Sequence, residues 1–264
     1  MKVVLFCGGQ GTRIRDYSDE IPKPLIPLGN RPILWHIMKY YAHFGHTDFI
    51  LCLGYKATAI KRYFLEYDEA ISNDFELRRG GKEVKLYGSD IDDWNITFVD
   101  TGHDTPIGER LRRVREHIGE DELFLANYSD GVGDLDLDAY VAGFERTRAI
   151  AGLVAIRPPQ SFHVLRLDGS RLAAIEPMRD SGIRLNGGFF VLRREIFEHM
   201  RPGEDLVEEP FRRLVARGAV HVHEHDGFFA PMDTFKDKMA LERLCETGAA
   251  PWMLWHRDAL ARAA

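Results

Sequence analysis

Val3-Val4-Leu5-Phe6-Cys7-Gly8-Gly9-Gln10-Gly11-Thr12-Arg13, followed by Lys23 between Pro22 and Pro24, is the stretch on which the reading of this chain turns. It reads as a short buried strand running into a glycine-rich turn. A strand that ends in glycines lets backbone N–H groups converge on an anion with no side chains in the way. Arg13 and Lys23 add the positive charge that a polyphosphate needs. The spacing is not that of a P-loop, which ends in Gly-Lys-Ser/Thr, nor that of the G-x-G-x-x-G dinucleotide fingerprint. Taken alone, the stretch also suits an ordinary tight turn beside surface charges.

Outward from this turn, helix and strand patterns alternate. Ile33, Leu34, Ile37, Met38, Tyr41 and Phe44 recur at helical spacing, with Pro32 before them and Gly45 after. Phe49 to Leu53 is a continuous apolar run of the kind that a strand covered on both faces shows. Ile60, Tyr63, Phe64 and Tyr67 mark another amphipathic helix. This rhythm predicts an α/β doubly wound fold with a mostly parallel sheet. Asp68 to Asp93 breaks the pattern and reads as an insertion with a small hairpin. Trp94 to Val99 is a strand and Pro106 to His117 a helix. Leu123 to Ala126 is a strand that delivers Ser129-Asp130-Gly131 at its carboxyl end, where open α/β sheets bind ligands. A helix spans about Leu137 to Arg148.

After Pro158-Pro159 the pattern turns to shorter, β-rich segments, Phe162 to Leu167, Leu172 to Ile175 and Gly188 to Leu192, with Asp168-Gly169 as a hairpin turn. They predict a second, smaller lobe. Helices at Glu195 to Met200 and Val207 to Ala216, a strand from His221 to Phe229 and a Thr234-capped helix through Cys245 complete the chain.

With 264 residues, 45% apolar and 29% charged, the chain can bury a sizeable core. A net charge of −6 without a long basic stripe argues against a nucleic-acid partner. The apolar run after Lys2 is too short for a signal peptide, and no stretch reaches the length of a membrane span. Cys7, Cys52 and Cys245 lack metal spacing and read as reduced thiols of a cytoplasmic protein.

The run GGQGTRI with Lys23-Pro24 nine residues on closely resembles the signature of sugar-1-phosphate nucleotidyltransferases. PILWHIMKYYAHFG, WNITFVDTG, YSDGVGDLD, NGGFFV and MDTFKDK continue the resemblance over nearly the whole chain, in the order of the bacterial glucose-1-phosphate cytidylyltransferase branch. The resemblance implies a single Rossmann-like nucleotidyltransferase domain. Its nucleotide-binding half would be about 1–157 with the insertion 68–93, its acceptor-binding lobe about 158–233, and its C-terminal helix and tail 234–264. It also implies a homo-oligomer packed partly through the insertion.

Transfer of a nucleotidyl group to a sugar phosphate requires in-line positioning and charge neutralisation rather than a serine, a cysteine or a dedicated base. The resemblance assigns the triphosphate of CTP to Gly8, Gly9, Gly11, Thr12, Arg13 and Lys23, with Arg13 and Lys23 catalytic. Asp130 and Asp233 would hold Mg²⁺, a hard cation that prefers one or two carboxylates plus phosphate oxygens. Without the resemblance, Asp130 is equally a turn residue before glycine, and Asp233 a helix-start charge. The resemblance places the base near Gly8-Gly9, near the loop Thr101 to Arg110, and near Tyr128, with Ser129 and Asp130 as further nucleotide-binding candidates. Gly108, Arg110 and Leu111 keep the branch pattern, whereas Ile107 and Glu109 depart from it.

On the acceptor side the branch has Glu-Lys-Pro where this chain has Glu176-Pro177-Met178, and a glycine where it has His163. Glu176, Asn186, Gly187 and His163 are the acceptor candidates, and Arg179 and Arg184 lie close enough to replace the missing lysine. Glucose 1-phosphate is the default acceptor. A different phosphate or phosphonate acceptor, and a non-catalytic nucleotide-binding paralogue, are the alternatives; decay at Asp130 and Asp233, which the paralogue predicts, is not present. His36 reads as a core-edge or surface histidine, and His221, His223 and His225 as one exposed strand face rather than a metal site. Trp252 and Trp255 read as anchors of the C-terminal tail.

Overall fold

The computed structural model describes residues 1–9, 21–159 and 162–256. Its main sheet has eight strands. They are β1 (Val3–Phe6), β2 (Asp48–Leu53), β3 (Asn95–Asp100), β4 (Leu123–Tyr128), β5 (Ala151–Ile156), β6 (Leu185–Asn186), β7 (Phe190–Arg193) and β8 (Val220–His225). The helices are α1 (Ile33–His43), α2 (Ala57–Leu65), α3 (Ile107–Arg113), α4 (Arg115–Ile118), α5 (Leu137–Glu145), α6 (Glu209–Val215) and α7 (Phe235–Glu246).

β1 lies parallel between β2 and β4, and β3 runs parallel outside β2. β7 is antiparallel to both β4 and β5, and β8 runs parallel along the whole of β5. β6 and β7 therefore share the other edge of β5, and the sheet is mostly parallel. Alternation along β1 sends Val3, Leu5 and Cys7 into one buried layer with α1 and α5, and Val4 and Phe6 into another with α3 and α6. A strand covered on both faces is why this stretch is apolar throughout rather than alternating.

Local chemistry explains the boundaries. α1 starts at Pro32, in extended backbone, and ends before Gly45 at φ +78°, a conformation glycine adopts without strain. The expected helix Pro106 to His117 is interrupted at Val114 and becomes α3 and α4. The expected helix at Glu195 to Met200 is a 3-10 segment, Arg194–His199. Thr234 caps α7 with a reciprocal box to Asp237, as its sequence suggests.

The insertion forms a two-stranded hairpin, Phe75–Arg78 with Glu83–Leu86. Buried Arg31 ties it to the body, bonding Ser72 Oγ and Asp68 O and lying over the Tyr67 ring at 4.1 Å. Of the β-rich segment after Pro159, His163–Asp168 and Arg171–Pro177 make a second separate hairpin, while β6, β7 and β8 extend the main sheet.

Two expectations are corrected. His36 is buried at 3% exposure, its Nε2 2.9 Å from Leu28 O and its Nδ1 facing the indole N–H of fully buried Trp252. His221 and His223 are partly covered, because that face of β8 packs on Tyr140 of α5 with ring centroids 6.2 and 5.1 Å away. His225 instead pairs with Asp134 at 3.1 Å.

Candidate active site

β2 and β3 lie on one side of β1 and β4 on the other, so the chain reverses its winding between β1 and β4. A crevice opens at such a point beyond the carboxyl ends of the strands. The glycines leave β1 there, and Ser129-Asp130 leaves β4. Ser129 Oγ donates to Phe6 O at 2.7 Å, binding the two strand ends together.

A short ladder then brings a distant residue in. Gly131–Gly133 pairs antiparallel with Phe229–Pro231, and Met232 N donates to Asp130 O at 2.7 Å. Asp130 directly precedes one strand of this ladder and Asp233 follows the other, so register alone places the carboxylates side by side. A Cβ on Gly131 would lie 3.2 Å from the Phe229 ring, so glycine suits the close approach.

Lys23 completes the cluster, its Nζ 2.7 Å from Asp130 Oδ2 and 2.7 Å from Asp233 Oδ1. Its backbone is held in a 3-10 turn between two prolines, with Leu25 N donating to Pro22 O at 2.8 Å. Burial pulls the Lys23 pKa down, but the two carboxylates outweigh it and hold the ammonium above its ordinary value. Lys23 is therefore a fixed positive charge at neutral pH.

On one side of this cluster lies a cavity of about 400 Å³ bordered by Gly8, Gly9, Thr105, Arg110, Tyr128 and Asp205, among others. Its floor is organised by Arg110, whose side chain is 3% exposed. Nη1 donates to Leu53 O, Thr101 Oγ1 and Gly102 O at 3.1, 2.8 and 2.8 Å, and Nη2 to Gly8 O and His103 O at 3.1 and 3.0 Å. Arg110, a nucleotide-ligand candidate from the sequence that also borders this cavity, donates to backbone oxygens of the glycine turn, of Leu53 and of Gly102-His103, and to the Thr101 hydroxyl. Glu109, a departure from the branch pattern, accepts from Arg112, Arg113 and Gly203 N and braces α3 against the segment at Glu204. Gly108 packs there too, where a Cβ would meet Glu204 O at 2.5 Å.

On the other side lies a cavity of about 500 Å³ that shares Tyr128, Asp130 and Asp233 with the first and is closed by Asn186, Gly187 and Phe229. Burial pushes the Tyr128 phenol up to about 12, so it stays a neutral hydrogen-bonding group, and Asn186 Nδ2 reaches it at 3.3 Å. Asn127 shapes this cavity and was not anticipated. Its Oδ1 accepts from Tyr128 N and Phe189 N, each at 2.9 Å, and holds Gly188 and Phe189 at φ +78° and +48°. The signal was a polar residue in an otherwise apolar strand. Asp205 also borders the first cavity, and nothing in its local sequence marks it.

The remaining acceptor candidates separate. His163 and Pro177 are direct cross-strand partners on the second hairpin, so the two departures from the branch pattern form one pair. Glu176 is bound to Arg166 at 2.8 Å. Arg184 is taken up by Glu224 and Asp226, at 2.8 and 2.7 Å. Arg179 borders a further cavity of about 360 Å³ that shares Ile156, Pro159 and Phe229 with the second. Gly11, Thr12 and Arg13 lie outside the described residues. Among the described residues no helix is long and apolar enough to cross a membrane, and no group of three or more His, Cys, Asp or Glu could hold a metal. Two carboxylates around one cation are nevertheless the donor set that suits a magnesium ion whose other ligands are phosphate and water.

Residues 2–227 match the nucleotidyl transferase family. The chain is 39% identical over 257 residues to the glucose-1-phosphate cytidylyltransferase of Salmonella typhi, covering 97% of this chain and 100% of that protein. The enzyme of the same name from Salmonella typhimurium matches to the same extent, 39% over 257 residues. Among solved structures, the UDP-glucose pyrophosphorylase of Acinetobacter baumanii is similar at a TM-score of 0.68 and 16% identity, over 100% of this chain and 99% of that one. At that identity the likeness shows the fold.

Proposed function

The chain belongs to the nucleotidyl transferase family, and from that premise we propose that it transfers the cytidylyl group of CTP to glucose 1-phosphate, forming CDP-glucose and pyrophosphate. What carries the reading is the pair of cavities that share Tyr128, Asp130 and Asp233, with Lys23 on the wall of the first bound to both aspartates. One cavity takes the nucleotide, the other the sugar phosphate, and their shared wall is where phosphate oxygen and α-phosphorus would meet. Both Salmonella relatives are glucose-1-phosphate cytidylyltransferases, and 39% identity over nearly the full length supports the choice of base and sugar.

An oxygen of the acceptor phosphate attacks the α-phosphorus while the bond to the pyrophosphate oxygen breaks on the opposite side. The attacking oxygen is already ionised, so no proton has to be removed. Lys23 neutralises charge on the reacting phosphates, with Arg13 as its partner, and the glycine turn offers its N–H groups to the triphosphate. Arg110 sets the position of that turn and adds a buried positive charge beneath it. Tyr128, Ser129 and the loop before α3 meet the nucleoside, and Asn186 and Gly187 the sugar. Arg179 is the cation we assign to the acceptor side in place of the lysine that Pro177 displaces. Asp130 and Asp233 would hold Mg²⁺, which when bound supplies further neutralisation of the triphosphate.

We read the chain as a cytoplasmic homo-oligomer. Cys7, Cys52 and Cys245 are free, with burial pushing the Cys7 thiol up to about 12, as suits unreactive thiols in a reducing compartment. Phe75, Leu77, Val84 and Leu86 share one face of the first hairpin by register, and all are at least 38% exposed, so a second copy is the natural cover.

Pyrophosphate release measured with glucose 1-phosphate and each of CTP, UTP, TTP, GTP and ATP tests the reading. Preference for CTP is expected, and faster turnover with any other nucleotide would overturn it.

A further inference from the structure

We propose that Lys23 is the resident cation of the metal site while no nucleotide is bound, so that the divalent metal enters only with the triphosphate that draws Lys23 away. This rests on the reading that Asp130 and Asp233 are the metal carboxylates.

The Lys23 ammonium bridges one oxygen of each aspartate at 2.7 Å. A magnesium ion would need carboxylate oxygens from the same pair, at about 2.0–2.1 Å. Two cations cannot both take that position without close like-charge contact, which is costly in a partly buried site. The Lys23 side chain is only 11% exposed, whereas Asp130 and Asp233 are 36% and 33% exposed toward the cavities, so water screens this competition only in part. Leaving the carboxylates for solvent would also abandon two charge-assisted hydrogen bonds.

The backbone cannot relieve the conflict, because Pro22 and Pro24 flank Lys23 within a hydrogen-bonded 3-10 turn. The side chain can, since it is long, unbranched and borders the nucleotide cavity. A triphosphate in that cavity presents oxygens that replace both aspartates as partners of the ammonium. It also brings the charge that the metal needs for its remaining ligands. Nucleotide and metal then bind as one unit, and the same lysine that guards the empty carboxylates becomes the cation on the reacting phosphates. The fold thus keeps two adjacent carboxylates neutralised in every state.

Manganese binding, followed by electron paramagnetic resonance of free Mn²⁺ on the full chain, tests this without turnover. Wild type without nucleotide is expected to bind Mn²⁺ weakly, and Lys23→Gln to bind it about ten- to hundredfold more tightly, the effect of removing two charge-assisted contacts. An α,β-methylene analogue of CTP should bring wild type to the tight regime while changing Lys23→Gln less. Lys23→Arg, which keeps the charge, should stay weak without nucleotide. Equal Mn²⁺ affinity of wild type and Lys23→Gln, with both losing binding in Asp130→Asn, would overturn the role of Lys23 alone. Undiminished binding in Asp130→Asn and Asp233→Asn would overturn the metal-site reading and this inference with it.

Discussion

Gly8 and Gly9 are neighbours in the same turn, yet the structure gives them opposite sensitivities. A Cβ on Gly8 would lie 2.0 Å from Arg110 Nη1 and 2.3 Å from its Cζ, whereas a Cβ on Gly9 meets nothing within 4 Å among the described residues. Neither glycine has a φ in the left-handed region, so backbone strain is not the issue. In Gly8→Ala the guanidinium must move, and it is held by five oxygens from three segments. Losing two of those bonds at about 1.5–3 kcal/mol for hydrogen bonds of a charged group gives a destabilisation of roughly 3–6 kcal/mol. Gly8→Ala should therefore lower the melting temperature by at least ~6 °C for a domain of this size. Gly9→Ala should leave stability within about 0.5 kcal/mol of wild type, as an unobstructed surface change does. Its methyl group would be added at the wall of the nucleotide cavity, so KM for CTP should rise. Calorimetric melting and steady-state kinetics on both variants separate the effects. Equal melting temperatures for Gly8→Ala and Gly9→Ala would refute the claim that Arg110 supports the turn from behind.

Asp130→Asn and Asp233→Asn should each lower kcat by about 10²–10³-fold with the fold retained, the loss expected for one electrostatic contributor in a charged transition state; near-normal turnover in both, by the pyrophosphate assay, would deny these residues a place at the reaction centre. Burial draws the His36 pKa down from 6.5 to about 4, so the folded protein refuses a proton that the unfolded chain accepts. The corresponding stability is complete above pH 6.5 and falls by about 3 kcal/mol as pH drops toward 4. Urea unfolding of His36→Gln should show a flatter slope across that window, the residual slope coming from His46, which burial also holds at about 4, from His221 and His223, which burial lowers too, and from arginine-paired carboxylates such as Glu109 and Glu204; an unchanged slope would contradict the assignment. Leu77→Glu with Val84→Glu should shift sedimentation to the monomer, and an unaltered sedimentation coefficient would show that this hairpin face is not a subunit contact.

The legible features were those fixed by neighbouring residues. The apolar run of β1, the Thr234 cap of α7 and the position of Asp130 after a buried strand follow from local patterns, and the structure places all three as read. Long-range features were not legible. The reason for glycine at position 8 is a guanidinium 102 residues later in the chain. Asp130 and Asp233 are joined through the register of a ladder of three residue pairs, which is set by tertiary packing rather than composition. His36 looked like an edge residue because helical spacing says nothing of the tail that Trp252 folds over it. The departures His163 and Pro177 stand apart along the chain, and only the hairpin register makes them partners.

The central claim is a transfer between two cavities that meet at one charged cluster, and product analysis tests it most directly. We would follow CTP and glucose 1-phosphate with the full chain and Mg²⁺ by phosphorus NMR. Matched appearance of CDP-glucose and pyrophosphate, with no CMP, is the result the two-cavity arrangement requires. CMP and pyrophosphate without CDP-glucose, or CTP left unconsumed while it binds, would contradict it.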